Sequence, residues 1–338
     1  MTVVEAVAGG WVGWVALHLS IGIVGTWLAR RYALHRQLVD QPGERRSHDT
    51  PTPRGGGISI VASMLVALCG LAWCFPGHAT LMLATAAGTA LVAGIGWVDD
   101  HHPLPPWPRL LVQAVAALLL AWGLQLEGAG IAVAGAGFVA ALVLVNVWNF
   151  MDGIDALAAS QALLVATAYG LWAGVGVGAW FALALAAACL GFLPFNLPRA
   201  RIFLGDVGSG ALGYGLAALA AWLLVDAGPR GPLLLLPLSA FLIDATLTLA
   251  LRVLGGERWW MPHAGHAYQY WVRRCGRHGR VTWSYAAWTL LACLAMLAGR
   301  GAPPAFIMVG LPVAGLLGAG VWAYLRRTVR RAGEDARE

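Results

Sequence analysis

The chain has 338 residues, 59% of them hydrophobic and only 11% charged, with a formal charge of +6. Soluble domains carry roughly twice that share of charge, so an ordinary soluble enzyme is excluded, and no nucleic-acid partner is expected. All 22 basic residues are arginine, and the five cysteines form no CxxC pair, which argues against a disulfide frame or a thiolate metal site.

Apolar runs of membrane length recur along the chain. They predict an all-α polytopic membrane protein of about 10–11 transmembrane helices, near 10–30, 57–75, 79–98, 109–124, 129–148, 156–174, 178–196, 209–226, 232–252, 283–299 and 303–325. The first run is too long for the apolar core of a signal peptide and has no basic residue before Arg30, so it reads as a retained span. The loop after it, 31–56, ends in "DQPGERRSHDTPTPRGGG", a basic, proline-bearing stretch that lacks the Lys and Ser/Thr of a P-loop. The third span ends in "GWVDDHHP". Asp99 and Asp100 there repel each other and oppose the helix macrodipole, which points to a functional pair rather than a solvated helix end.

The fifth span leads into "NVWNFMDGID". Residues three apart share a helix face only over short distances, and Gly153 is a poor helix former. The helix is therefore expected to end near 151–153, carrying Asn149 and Asp152, with a new one starting at Asp155, a residue type that also suits a plain N-cap. Asn146 has no evident role. After the seventh span comes "FNLPRARIFLGDVGSG", with Asp206 in a glycine-flanked turn. Its "GSGALG" formally matches G-x-G-x-x-G, but a span follows it and no βαβ unit surrounds it; the glycines read instead as allowing a phosphate near a helix N-terminus. Asp244 lies inside the ninth span, about two helical turns from Arg252. It is a functional candidate by default, with pairing to a neighbouring helix as the alternative. The loop 253–282 carries "MPHAGHAYQYWVRRCGRHGR"; His263 and His266 suit phosphate contact better than zinc, and its arginines read as orientation signals.

Alternate connecting segments hold twenty arginines against two. The positive-inside rule then puts the N-terminus in the periplasm and the C-terminus in the cytoplasm. Most acidic residues fall on the arginine-rich side, in loops near 31–56, 99–108, 149–155, 197–208 and 253–282 of a single transmembrane domain spanning 1–338. Carboxylates without thiolates select a hard cation such as Mg²⁺. Together with basic loops and a lipid setting, they suggest phosphoryl transfer from a soluble nucleotide to a membrane-bound acceptor.

In order and on one face, "VDD", "NxxNFxDGID", "FNxPxxxxFLGDxGS" and "HxxH" resemble the polyprenyl-phosphate N-acetylhexosamine-1-phosphate transferase family, glycosyl transferase family 4, over about residues 40–270. "RRSHDTPTPRGGG" and "HAGHAYQ" look most like its O-antigen-initiating branch. The resemblance implies transfer of an N-acetylhexosamine 1-phosphate from a UDP-sugar to undecaprenyl phosphate. The products would be undecaprenyl-diphospho-sugar and UMP, at the start of O-antigen or related cell-envelope polysaccharide synthesis. It also implies a bacterial inner-membrane location, an active site facing the cytoplasm, Mg²⁺ with Mn²⁺ able to substitute, and compatibility with a homodimer. By the same resemblance Asp206 holds the metal with a share from Asp100, and Asp99, Asp100 and Asp152 are the catalytic carboxylates. Asn149, Asp155, Asn196, Phe203, His263, His266, Arg46 and Arg54 bind substrate, with Asp155, Asn196 and Phe203 near uracil.

Two departures stand out. Pro103 occupies the place of a lysine found in many relatives, so its cationic role passes to Arg46, Arg54, Arg109, His101 or His102, and Ala156 stands where some relatives have glycine. The rival readings are a transporter, which would spread polar groups through the membrane depth, and another lipid phosphotransferase acting on a CDP-alcohol.

Overall fold

The computed structural model describes residues 3–41, 50–258, 261 and 263–334. Among the described residues twelve α-helices run in the order α1 (Val3–His35), α2 (Ile58–Cys74), α3 (Ala79–His101), α4 (Pro106–Leu126), α5 (Gly130–Met151), α6 (Leu157–Ala173), α7 (Val177–Asn196), α8 (Asp206–Ala227), α9 (Ser239–Leu254), α10 (Ala267–Cys275), α11 (His278–Gly299) and α12 (Pro304–Glu334). Two two-residue strands, Val39–Asp40 and Thr52–Pro53, pair antiparallel beside α1. Eight helical stretches among the described residues are long and apolar enough to cross a membrane, one of them Asp206–Leu254, and α2 and α6 are shorter apolar helices. The eleven expected spans thus correspond to every helix except α10. This is an all-α polytopic membrane protein.

The ninth span differs from expectation at its start. Gly228–Leu238 is a 3₁₀ helix containing Pro232 and Pro237, whose missing N–H groups bar a regular α-helix; α9 begins only at Ser239.

The core is built around α8, whose residues 207–219 are all buried. A helix apolar on every side belongs inside a bundle, and within a membrane small residues let helices pack closely. The glycines serve this purpose. A Cβ at Gly208 would lie 2.6 Å from Gly57 Cα on the approach of α2, one at Gly96 on α3 would collide with Asp206 O, and one at Gly213 would collide with Leu144 O on α5. The phosphate role expected for these glycines therefore gives way to helix contact. Buried hydroxyls close further seams: Tyr214 Oη donates to Ala116 O at 2.8 Å and Tyr169 Oη to Leu234 O at 2.6 Å. Asn146 acquires a role of the same kind, its amide donating to Gln113 Oε1 of α4 at 2.8 Å.

The arginine-rich loops meet at one end of the bundle. Phe203 N–H donates to Pro53 O at 2.8 Å, Gly56 N–H to Phe203 O at 2.9 Å, and Arg30 Nε to Arg201 O at 3.2 Å. The opposite end carries a His78–Glu127 pair at 2.9 Å and Arg300 over the Trp172 ring.

Candidate active site

Asp100 is buried where α3 ends. At that position its charge opposes the dipole of α3, but it faces a second helix. Its Oδ1 accepts the Asp206 N–H and its Oδ2 the Val207 N–H, both at 3.1 Å. These are first-turn donors of α8, left without partners inside their own helix. The positive end of α8 therefore holds the carboxylate that α3 disfavours. Arg54 supports it, with Nε 3.9 Å from Oδ1 and a second guanidinium nitrogen donating to the Asp100 carbonyl. Gly205, at φ 76°, permits the close fit: a Cβ there would lie 2.6 Å from Asp100 Oδ2. The α8 N-terminus, expected to be open to a phosphate, is thus filled by the protein's own side chain.

Asp99 points to the other side of the same turn. Its Oδ1 accepts the Leu104 N–H at 2.7 Å and its Oδ2 pairs with Arg109 Nη1 at 2.8 Å. Arg109 Nη2 in turn lies 2.8 Å from Asp206 Oδ2 and 3.4 Å from Asn149 Oδ1. Asn149 Nδ2 completes the circuit by donating to Ser209 Oγ at 3.2 Å. One guanidinium thereby ties α3, α4, α5 and α8 together. Arg109 was one of five candidates for the missing lysine's role, and the structure puts it at the centre. Arg46 lies outside the described residues, and Ser209 went unnoticed in the sequence.

Asp152 caps the C-terminus of α5. Its half-buried carboxyl has no hydrogen-bond or ion-pair partner among the described residues. Loss of solvent, then the charges of Asp206 and Asp100, push it well above the usual carboxylate range.

The hinge beyond it is held from inside. Asp155 Oδ2 accepts the Ala200 N–H at 3.2 Å, and His278 Nδ1 lies 3.1 Å from Oδ1. Asn196 Oδ1 accepts the Ala156 N–H at 3.0 Å while its Nδ2 donates to Ile202 O at 2.9 Å. Ala156, at φ 61°, is the N-cap of α6, which starts at Leu157. The helix start expected at Asp155 is corrected by two residues, because that carboxylate turns to the α7–α8 loop. A left-handed φ at 156 also explains why glycine suits this position. Phe203 is half-buried on the same loop.

His263 and His266 stack with ring centroids 4.8 Å apart, and His266 lies 6.1 Å from Phe150 at the end of α5. Burial first, with neighbouring basic groups including Arg252 adding to it, lowers His263 to about 4, so its imidazole is neutral at neutral pH.

No three His, Cys, Asp or Glu side chains among the described residues are grouped as a ready metal site. The chemistry of the donors nevertheless suits a hard divalent ion. Asp99, Asp100, Asp152 and Asp206 face Arg54 and Arg109, so carboxyl groups outnumber guanidinium groups there four to two. Asp152 is the unpartnered oxygen donor and Asp206 uses one oxygen on Arg109, whereas both Asp100 oxygens accept α8 N–H groups.

The fold is thus a bundle of membrane-length helices with an acidic centre at one end. The family profile described as Glycosyl transferase family 4 matches residues 82–224, which include Asp99, Asp100, Asn149, Asp152 and Asp206. A decaprenyl-phosphate N-acetylglucosaminephosphotransferase of Mycobacterium leprae is 30% identical over 322 residues, covering 81% of this chain and 78% of that protein. A phospho-N-acetylmuramoyl-pentapeptide-transferase of Synechococcus sp. is 38% identical over 208 residues, 54% and 60% of the two chains. A probable undecaprenyl-phosphate N-acetylglucosaminyl 1-phosphate transferase of Bacillus subtilis is 26% identical over 276 residues, 76% and 75%. The chain belongs to glycosyl transferase family 4.

Proposed function

We propose that the protein transfers an N-acetylhexosamine 1-phosphate from a UDP-sugar to undecaprenyl phosphate, releasing UMP, as the first step of O-antigen or a related cell-envelope polysaccharide. The observation that carries this reading is the meeting of four carboxyl groups from three separate motifs, Asp99 and Asp206 on Arg109, Asp100 on the start of α8 and Asp152 within reach of the charges of Asp206 and Asp100, at the arginine-rich end of a membrane bundle. The relatives' names support a prenyl-phosphate acceptor and an amino-sugar phosphate donor. The arginine partition supports a cytoplasmic active site in the bacterial inner membrane.

In this reading an oxygen of the lipid phosphate attacks the β-phosphorus of the donor, and the bond to the UMP oxygen breaks. Asp206 and Asp152 would hold Mg²⁺, which neutralises charge on the diphosphate. Arg109 holds Asp99 and Asp206 at fixed separation. Asp100 anchors the first turn of α8 and with it the Asp206 side chain. Asn149 presents its amide beside both. A phosphate dianion is already a nucleophile, so Asp99 serves to position rather than to deprotonate. His263, neutral, offers hydrogen bonds rather than charge. The transport reading loses its intramembrane acid, since Asp244 is occupied by main-chain donors of α10.

The test is UMP release by purified protein from a panel of UDP-N-acetylhexosamines, with undecaprenyl phosphate and Mg²⁺. Release with at least one donor, abolished by Asp206→Asn, is expected; no release with any donor would refute the proposal.

A further inference from the structure

Asp244 is another buried carboxylate, distant in sequence from the acidic centre and only 2% exposed. Five donors converge on it. Oδ1 accepts the Ala267 N–H at 2.8 Å, Thr248 Oγ1 at 3.2 Å and Trp322 Nε1 at 3.2 Å; Oδ2 accepts the Tyr268 N–H at 3.1 Å and Tyr285 Oη at 2.8 Å. His266 Nδ1 lies 3.7 Å from Oδ1. A buried carboxylate is tolerated when its lone pairs are met in this way. Here α9, α11 and α12 supply side chains, whereas α10 supplies main-chain donors from its first turn, where its dipole also favours a negative charge.

The short helix so anchored reaches back to the acidic centre. Tyr268 is fully buried, and its hydroxyl donates to Phe150 O at 3.0 Å. That carbonyl belongs to the last turn of α5, whose final carbonyls have no partner within the helix. The same hydroxyl packs against Gly153, where any Cβ would collide with it. Phe150 lies between Asn149, which contacts Arg109, and Asp152, the unpartnered carboxylate. The ring of His266, the residue before α10, stacks on Phe150. The path from Asp244 to the centre is thus short: the α10 N-terminus, Tyr268, then the turn that carries Asn149 and Asp152.

We propose that Asp244 is a positioning residue for the transfer reaction, setting the α5 turn for the nucleotide-sugar through α10 and Tyr268. This rests on the transfer reading given above. A carboxylate that merely held helices together would act equally through each donor. Tyr268 and Tyr285 separate the two roles. Each is a buried tyrosine tied to this network, but the hydroxyl of Tyr268 bonds α5 whereas that of Tyr285 bonds Asp244.

The experiment uses the full chain in detergent or nanodiscs, with UDP binding by calorimetry, KM for donor and acceptor, and the melting temperature. Tyr268→Phe is expected to weaken UDP binding and raise donor KM about fivefold to tenfold, the worth of one buried hydrogen bond. Acceptor KM should stay unchanged. Asp244→Asn should show the same split or a larger one, and Asp244→Asn combined with Tyr268→Phe should be no worse in donor KM than Asp244→Asn alone, because both act on one path. Tyr285→Phe should lower the melting temperature and leave donor KM unchanged. The proposal is overturned if Tyr268→Phe leaves UDP binding and donor KM unaltered, or if Tyr285→Phe changes them as much. Failure of the unmodified protein to bind UDP or release UMP would instead overturn the transfer reading, and this proposal with it.

Discussion

Replacing Arg109 by methionine keeps much of the side-chain length and removes the charge at the centre of the site. The guanidinium makes two contacts of 2.8 Å, to Asp99 and to Asp206, with side chains 24%, 13% and 29% exposed for Arg109, Asp99 and Asp206. At about 4 Å between charge centres and an effective dielectric near 20, each pair attracts by about 4 kcal/mol, and the cost of desolvating three charged groups offsets most of this. What the substitution exposes is the repulsion the arginine was screening. Breaking one side of a buried pair costs about 3–5 kcal/mol, which corresponds to a fall in melting temperature on the order of 5–10 °C. Lysine at 109 restores a charge but cannot reach both carboxylates as a fork does, so Arg109→Lys should lie between. The assay is thermal unfolding of purified protein in chelator and then in excess Mg²⁺. The methionine variant should be the more strongly rescued, because an added cation replaces the missing charge and a ligand bound only by the folded state stabilises it. If Arg109→Met melts within about 2 °C of the parent and Mg²⁺ shifts both equally, the argument that Arg109 balances the carboxylates is wrong.

Two further predictions follow from the same geometry. The Asp152 carboxyl is raised by burial and neighbouring charge. Between the ordinary carboxylate value and its raised one, the folded chain therefore binds more protons than the unfolded chain, and stability falls as pH rises. Asp152→Asn should raise the melting temperature at pH 8 in chelator, flatten that fall and abolish UMP release; melts across pH in chelator that leave both proteins with the same slope would contradict this. Gly208→Ala would place a methyl 2.6 Å from Gly57 Cα and 2.7 Å from Leu204 Cγ, an overpacking cost of about 1–3 kcal/mol. Gly94→Ala, with open space around it, should instead gain up to about 1 kcal/mol of helix propensity. Melting temperatures that move in the same direction for these two variants would refute the close-packing account of the glycines.

The spans were legible because a membrane demands long apolar runs, and the polar face was legible because arginines partition so unevenly. Local pattern could not reach pairings made across a hundred residues. Asp100 announces itself as half of an acidic pair, but its partners are main-chain groups at 206 and 207, and nothing at position 100 encodes them. Asp155 has the chemistry of an N-cap and sits where one is wanted, yet a stronger tertiary demand from Ala200 and His278 takes its carboxylate. α10 escaped because a nine-residue amphipathic helix makes no hydropathy peak. Arg109 was within reach: it is the sole arginine in its loop, at the start of a span, opposite two aspartates.

Two of the buried aspartates, Asp100 and Asp244, bear on any anionic substrate at this end of the bundle. A helix N-terminus is an obvious seat for a phosphate, and α8 and α10 both begin here, but Asp100 fills the first and Asp244 the second. Three of the basic side chains nearest the acidic centre are committed or uncharged. Arg109 is divided between two carboxylates, Arg54 supports Asp100, and His263 is neutral at neutral pH. Under the proposed reaction a divalent cation held by the unpartnered Asp152 and by Asp206 would add attraction for the diphosphate, so that cation binding and donor binding would form one linked equilibrium. The carboxylates that make the site look unsuited to a nucleotide-sugar would then couple its binding to the metal.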